Sequence, residues 1–237
     1  MKKEKDSIQL FCIPYAGGSA TIYNSWKKYL DKKIILMPIE LAGKGLRLKE
    51  NMYDSFGEAV EDLFNYITFN IRCSNYAIFG HSMGSTLAYE LAKKITYNNI
   101  QLPSHLFLSG RNAPQKSNKN LKLHKLSNEN LTSELLKLGG IPPDLLDDQD
   151  FIDYYLPLVR RDLKLIENYK FNKNVNPLNI AFTVLSGTND QSTSKSGVLG
   201  WKDLSLKSCE FNTINGNHFF VHNKIEDIMN IINKTLL

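Results

Sequence analysis

Residues 77–95, AIFGHSMGSTLAYELAKKI, run from an apolar stretch through a serine set between two glycines into a helix-period pattern. The apolar stretch has the length and aromatic content of a buried strand, and the apolar positions after Ser85 recur at three- and four-residue intervals. A strand entering a helix needs only one turn residue and a cap. Gly80 and Gly84 around Ser82 therefore point to a bend tight enough to press backbone on backbone and to lift the serine out of the sheet edge. Such a junction commits the chain to a βα unit, and βα units to parallel strands.

The rest of the chain repeats that alternation. The segments 8–15, 32–40, 75–81, 104–110, 179–187 and 209–216 read as strands: short, β-branched or aromatic, and ended by Gly, Pro or His. Amphipathic stretches at 52–71 and 85–98 read as helices between them. The expectation is one α/β domain over residues 1–237, with a mainly parallel sheet and helices on both faces. Residues 113–171 break the pattern, with helical segments on either side of GGIPPD and no strand. Ser127 or Asn128 is placed to cap the first helix and Gly139–Gly140 to end it. Pro142 and Pro143 force a break, and Pro157 should kink or divide the second helix. A helical insert in an α/β sheet reads as a lid.

Composition bounds the partners. The 237 residues carry a net charge of +5, with 42% hydrophobic and 22% charged residues, an ordinary balance for a folded domain. The lysines are scattered, with no basic stripe interleaved with aromatics, so nucleic acid is not the expected ligand. No apolar run reaches the roughly 20 residues of a membrane-spanning helix. The start, MKKEKDSIQLFCIPYAGG, mixes acidic residues among its lysines and has no small-residue cleavage site. It reads as a first strand running into a glycine turn, and the expected location is the cytoplasm. Cys12, Cys73 and Cys209 lack metal-type spacing and read as reduced, buried thiols.

Gly80-His81-Ser82-Met83-Gly84 fits G-x-S-x-G in its required setting, after a strand and before a helix. The bend exposes the Ser82 hydroxyl above the strand ends, and the Met83 amide at the helix N-terminus is placed to donate to a developing oxyanion. A serine hydroxyl is a weak nucleophile and needs a base, itself held by an acceptor. The chain order in this architecture is serine, acid, histidine. Asp190 follows the strand IAFTVLSG, and His218 follows the strand ending in NGNHFF. The intervals leave room for one βα unit plus the insert, then for a single αβ unit. Asp162 and Asp203 are rival acids in helical surroundings, and His222 is the rival base, one turn into the last helix. His218 and His222 share an i, i+4 spacing, but no glutamate or third ligand accompanies them, so no metal is expected. His81 reads as a packing residue of the bend; His105 and His124 have no supporting context.

The second oxyanion donor should come from a loop after an inner strand. IPYAGGSATIYNSW, residues 13–26, fits, with Gly17 and Gly18 allowing close backbone approach and the Ala16 amide as the donor. Neither this loop nor LAGKGLR has a phosphate-cradle spacing, so no nucleotide is expected.

Taken in order, FCIPYAGGSATIYNSW, PIELAGKGLRLKE, FGHSMGSTLAYELA, LFLSGRNAP, GGIPPDLL, YYLPLVRRDLKLIENY, LSGTNDQ and NGNHFFVHN resemble one family: the type II, external editing thioesterases of nonribosomal peptide and polyketide synthesis. The resemblance spans about residues 10–222. It implies an α/β-hydrolase fold with a helical lid, Ser82, Asp190 and His218 as catalytic triad, and Met83 and Ala16 as oxyanion amides. It implies a discrete cytoplasmic enzyme that hydrolyses stalled acyl groups from the phosphopantetheine arm of acyl- or peptidyl-carrier proteins, without metal or cofactor of its own; a monomer is the default expectation for its oligomeric state. The lid helices would form the acyl pocket, and their lysines would face an acidic carrier protein. Two stretches depart from the family pattern. Ala42-Gly43-Lys44-Gly45-Leu46-Arg47 stands where many members read P-G-R-G-x-R, and the turn after Asp190, QSTSKSG, is rich in Ser, Thr and Lys. The same machinery would also serve a carboxylesterase or acyltransferase on free acyl esters, and a non-catalytic binding protein is the reading from another class.

Overall fold

The structure is a computed structural model that describes residues 7–116, 122–141, 143–146 and 148–237. Six strands form one sheet: β1 (Ile8–Ile13), β2 (Ile34–Pro38), β3 (Asn75–His81), β4 (His105–Ser109), β5 (Ala181–Gly187) and β6 (Cys209–Ile214). Their order is β2-β1-β3-β4-β5-β6, and every pairing is parallel. All six lie within the segments read as strands from the sequence. The helices are α1 (Phe56–Asn70), α2 (Met83–Tyr97), α3 (Asn128–Leu138), α4 (Gln149–Asn168), α5 (Lys195–Leu199), α6 (Phe220–Asn223) and α7 (Ile225–Leu236).

Alternation along the central strands divides the core into two layers. Phe11, Ile13, Tyr76, Ile78, Leu106 and Leu108 face α1 and α2, which return Ala59, Leu63, Ile67, Leu87 and Leu91. Leu10, Cys12, Ala77, Phe79 and Phe107 face the other way, onto Tyr23 and Trp26 of a 3₁₀ segment (Ala20–Lys28) and Ile228, Met229 and Ile232 of α7. Each Leu or Ile buried this way contributes about 2 kcal/mol from area alone. Helix starts are built locally. Ser55 accepts the Glu58 N–H at 3.2 Å, and the Glu58 carboxylate returns to the Asp54 N–H at 2.9 Å, fixing where α1 begins.

The insert holds α3 and α4, and no strand occurs between 113 and 171 among the described residues. Ser127 caps α3 through the Asn130 N–H, and Gly139 ends it. Leu131, Leu135, Ile152, Leu156 and Val159 form a small core of the insert's own. Pro143 starts a 3₁₀ turn, and Pro142 lies outside the described residues. The expectation for Pro157 fails in part: α4 runs unbroken from Gln149 to Asn168 with Pro157 inside it, so the proline does not divide the helix. Pro157 and Asp153, whose carbonyl loses its partner, are both exposed. Water therefore satisfies the carbonyl that a buried proline would have orphaned.

No helix among the described residues is long and apolar enough to cross a membrane. Cys12 and Cys73 are buried and Cys209 half-buried, and no disulfide joins them.

His105, at the start of β4, is buried with Nε2 2.8 Å from Thr183 Oγ1, and burial pushes its pKa down to about 4. The folded pKa lies below the ordinary value of about 6.5. The unfolded chain therefore binds the proton more tightly between those values, and stability from neutral His105 is complete above pH ~6.5 and lost as pH falls toward 4. Denaturant unfolding at pH 7 and 4.5 should show that His105→Gln loses less stability on acidification than the parent, by up to about 3 kcal/mol. Equal losses would refute this.

Candidate active site

The turn between β3 and α2 is crowded to the limit of backbone contact. A Cβ at Gly80 would lie 2.1 Å from the Gly84 carbonyl oxygen, and one at Gly84 would lie 2.3 Å from the Ile13 oxygen and 2.7 Å from the Pro14 oxygen. No side chain fits at either position, which is the reason the sequence places glycine at both. Between them Ser82 has φ 53°, ψ −114°, a backbone conformation L-residues rarely hold. Tertiary bonds fix it there. The Ser82 N–H donates to the Ser109 carbonyl at 2.7 Å, and the buried Ser85 hydroxyl accepts the Ser109 N–H at 2.9 Å.

Ser82 stands at the N-cap of α2, but its hydroxyl makes no capping bond, so helix capping does not account for it. Its Oγ instead lies 3.0 Å from His218 Nε2. His218 Nδ1 lies 2.9 Å from Asp190 Oδ2. His218 and Asp190 are both buried, on the loops that follow β6 and β5. The parallel sheet thus brings three side chains from the carboxyl ends of three strands into one hydrogen-bonded chain. Burial works against a charged Asp190, but hydrogen bonds from His218 and Ser192 outweigh it and hold the carboxyl below the usual aspartate range. With that acceptor ionised, His218 keeps its proton on Nδ1 and presents a bare Nε2 to the Ser82 hydroxyl.

Ser192 is a partner that the sequence reading missed. Its N–H and hydroxyl donate to Asp190 Oδ1 at 2.9 and 2.6 Å, and its Oγ lies 2.9 Å from His218 Nδ1. Nothing in the spacing of QSTSKSG singles it out; the neighbouring Ser194 is spent capping α5. The hydroxyl-rich turn thereby finds its physical account in one residue that steadies the acid and another that starts a helix.

Of the two expected amide positions, Met83 adjoins Ser82 in the chain, and Ala16 lies on the loop after β1 that packs against the bend. Met83 opens α2, and the first N–H groups of a helix have no acceptor within it. Ala16 stands two residues after Pro14, whose carbonyl lies against Gly84. The rivals are occupied elsewhere. Asp162 is buried in an ion pair with Lys44, and Asp203 is exposed on a 3₁₀ segment. His222 sits 2.9 Å from the Tyr15 hydroxyl, in α6 ahead of the last long helix. His81 is buried beneath the bend, with Nδ1 2.9 Å from Ser109 Oγ and its ring 5.2 Å from that of His218. Burial, then the neighbouring His218, push its pKa well below the ordinary value, so it carries no charge at neutral pH. His124 pairs with Glu167. In the other departing stretch, Arg47 bonds Asp62 at 2.6 and 3.0 Å and Glu50 at 2.9 Å.

A family model described as Thioesterase domain matches residues 8–236. The gramicidin S biosynthesis protein GrsT of Aneurinibacillus migulanus is 31% identical over 229 residues, covering 97% of this chain and 89% of that protein. The medium-chain S-acyl fatty acid synthase thioesterase of Rattus norvegicus is 27% identical over 216 residues, covering 90% and 81%. The solved structure of ClbQ from the colibactin NRPS/PKS pathway superposes with a TM-score of 0.92 at 30% identity, covering 97% of each chain. With that match along nearly its whole length, on an all-parallel sheet carrying a serine–histidine–aspartate chain, the protein belongs to the thioesterase family and is a thioester hydrolase of the α/β-hydrolase fold.

Proposed function

We propose that the protein is an editing thioesterase that hydrolyses aberrant or stalled acyl groups from the phosphopantetheine arm of carrier proteins in nonribosomal peptide or polyketide synthesis. The observation that carries this reading is the Ser82–His218–Asp190 chain in a member of the family, together with two relatives: GrsT, a gramicidin S biosynthesis protein, and ClbQ, from the colibactin NRPS/PKS pathway. The enzyme is placed in the cytoplasm, as a monomer that meets the carrier domains of a synthase. Carboxylester hydrolysis and acyl transfer use the same groups, but those relatives favour the carrier-bound thioester.

In this reading Ser82 is the nucleophile, His218 the general base, and Asp190 the group that fixes the imidazole. His218 Nε2 takes the hydroxyl proton as Ser82 Oγ attacks the thioester carbonyl. The oxyanion is stabilised by the Met83 and Ala16 amides, each contributing roughly 3–4 kcal/mol to the transition state. The tetrahedral adduct collapses, the C–S bond breaks, and the pantetheine thiolate takes the proton from His218. Water then attacks the acyl-serine, its proton passing to His218, and the free acid leaves with Ser82 restored. Every step is a proton or acyl transfer among these groups, and no metal or redox cofactor has a task in it. A cavity of about 340 Å³ lies between α4 and the loop after β5, bordered by Leu163, Ile166, Tyr169 and Ser192; it reaches the acid side of the triad through Ser192, while Ser82 and His218 are not among its walls.

Incubation with an acetyl-phosphopantetheinyl carrier protein, followed by intact mass, should show loss of the acetyl mass with enzyme and none with Ser82→Ala. Cleavage of p-nitrophenyl butyrate with the carrier protein left untouched would contradict the editing reading. Gly80→Ala should cost at least about 3 kcal/mol of stability or abolish turnover, because the added methyl meets backbone that has nowhere to go. Wild-type stability and rate in that variant would show that the bend is not strained as described.

A further inference from the structure

Ala16 is the second residue of a four-residue turn, closed by the Gly18 N–H donating to the Tyr15 carbonyl at 2.9 Å. Gly17, the third residue, has φ +80°, and a Cβ there would lie 2.3 Å from Val159 Cγ2 on α4. The Tyr15 carbonyl and the Ala16 N–H share one rigid peptide plane, so whatever fixes the turn also aims that N–H. Two anchors do so. Beyond the turn, Glu40 accepts from Ser19 Oγ and from the Ala20 N–H, each at 3.0 Å. On the turn itself, the Gly17 N–H donates at 2.7 Å to Asp162 Oδ2, the oxygen that also pairs with Lys44 Nζ.

Asp162 and Lys44 are 1% and 2% exposed. A carboxylate and an ammonium so buried gain little stability over an apolar pair of similar volume, so stability alone is a weak reason for them. Their placement suggests another. Asp162 lies on α4 between Val159, which belongs to the insert's core, and Leu165 and Ile166, which belong to the main core. The carboxylate therefore stands where the lid joins the body and reaches the turn that carries Ala16.

We propose that Asp162, paired with Lys44, is a positioning residue for thioester hydrolysis: it clamps the Tyr15–Gly18 turn so that the Ala16 N–H faces the oxyanion while α4 is seated. The inference rests on the reading of Ala16 as an oxyanion donor. Asp162 touches no reacting atom. It makes the geometry of the oxyanion site depend on a lid residue, and so ties lid seating to catalysis.

The test compares Lys44→Met/Asp162→Leu, Lys44→Arg and Asp162→Asn with the parent. Melting temperature, kcat and KM on the acetyl-loaded carrier protein, and the rate of Ser82 phosphonylation by a fluorophosphonate are all measured. Phosphonylation also builds negative charge on an oxygen at the site, so it reads the clamp without reference to the natural substrate. The apolar double variant leaves no buried charge unpaired and gives up only the acceptor of the half-buried Gly17 N–H, so it should melt within about 5 °C of the parent. Its kcat and phosphonylation rate should nonetheless fall about 100-fold with KM within about threefold, the scale expected of a displaced catalytic group. Lys44→Arg, which keeps the ion pair, should hold both rates within about threefold of the parent, and Asp162→Asn, which keeps an acceptor without the charge, should fall between the parent and the double variant. A double variant that melts and turns over like the parent overturns the proposal; should it fail to fold, parental rates in a folded Asp162→Asn overturn it. A parent inactive on the carrier protein counts against the editing function alone, because the phosphonylation rates still decide the clamp.

Discussion

Three stretches of backbone meet at the end of the sheet with no side chain between them. The chain at Gly80 lies against the Gly84 carbonyl, and Gly84 lies against the carbonyls of Ile13 and Pro14. This close approach forces Ser82 into its left-handed conformation and brings the loop after β1 beside the start of α2. It also sets the hydroxyl within reach of His218. The parallel sheet supplies the rest, since Asp190 and His218 arrive from the ends of neighbouring strands. The strain stored at Ser82, of order 1–3 kcal/mol, is offset by hydrogen bonds to Ser109 and by the packed layers on either face.

Electrostatics at the site follow from burial. Asp190 is taken out of water, yet three donated hydrogen bonds, two from Ser192 and one from His218, hold it in its charged form. His81, directly below, is kept neutral by its own burial and by the histidine above it, so it adds no charge that would compete for the aspartate. The insert behaves differently from the sheet. It has its own small core, and α4 carries that core onto the main one through Leu165 and Ile166.

Local signals carry much of this architecture. The six strands are legible because each is a short apolar run ended by a breaker. The bend at Ser82 is legible because glycines two positions to either side of one serine, between a strand and a helix, mark backbone packed on backbone. Asp190 and His218 are legible as a pair only through chain order: each follows a strand, and the sheet does the rest. Contacts between segments distant in sequence leave no such trace. Ser192 looks like any turn serine until the fold sets it on Asp190. Asp162 looks like a helix-surface acid until Lys44, more than a hundred positions earlier, is found against it. The unbroken α4 shows the opposite case, in which a strong local signal, Pro157, yields to context because the carbonyl it orphans faces water.

If the strained serine of the bend is the nucleophile, it becomes acylated in every turnover. Enzyme in excess over an acetyl thioester, quenched in acid within the first turnover and digested for mass spectrometry, decides this. A transient acetyl group is expected on the peptide containing Ser82, absent when His218 is replaced by alanine. Acetyl found on another residue, or acid released with no serine adduct at any time, would contradict a nucleophilic Ser82.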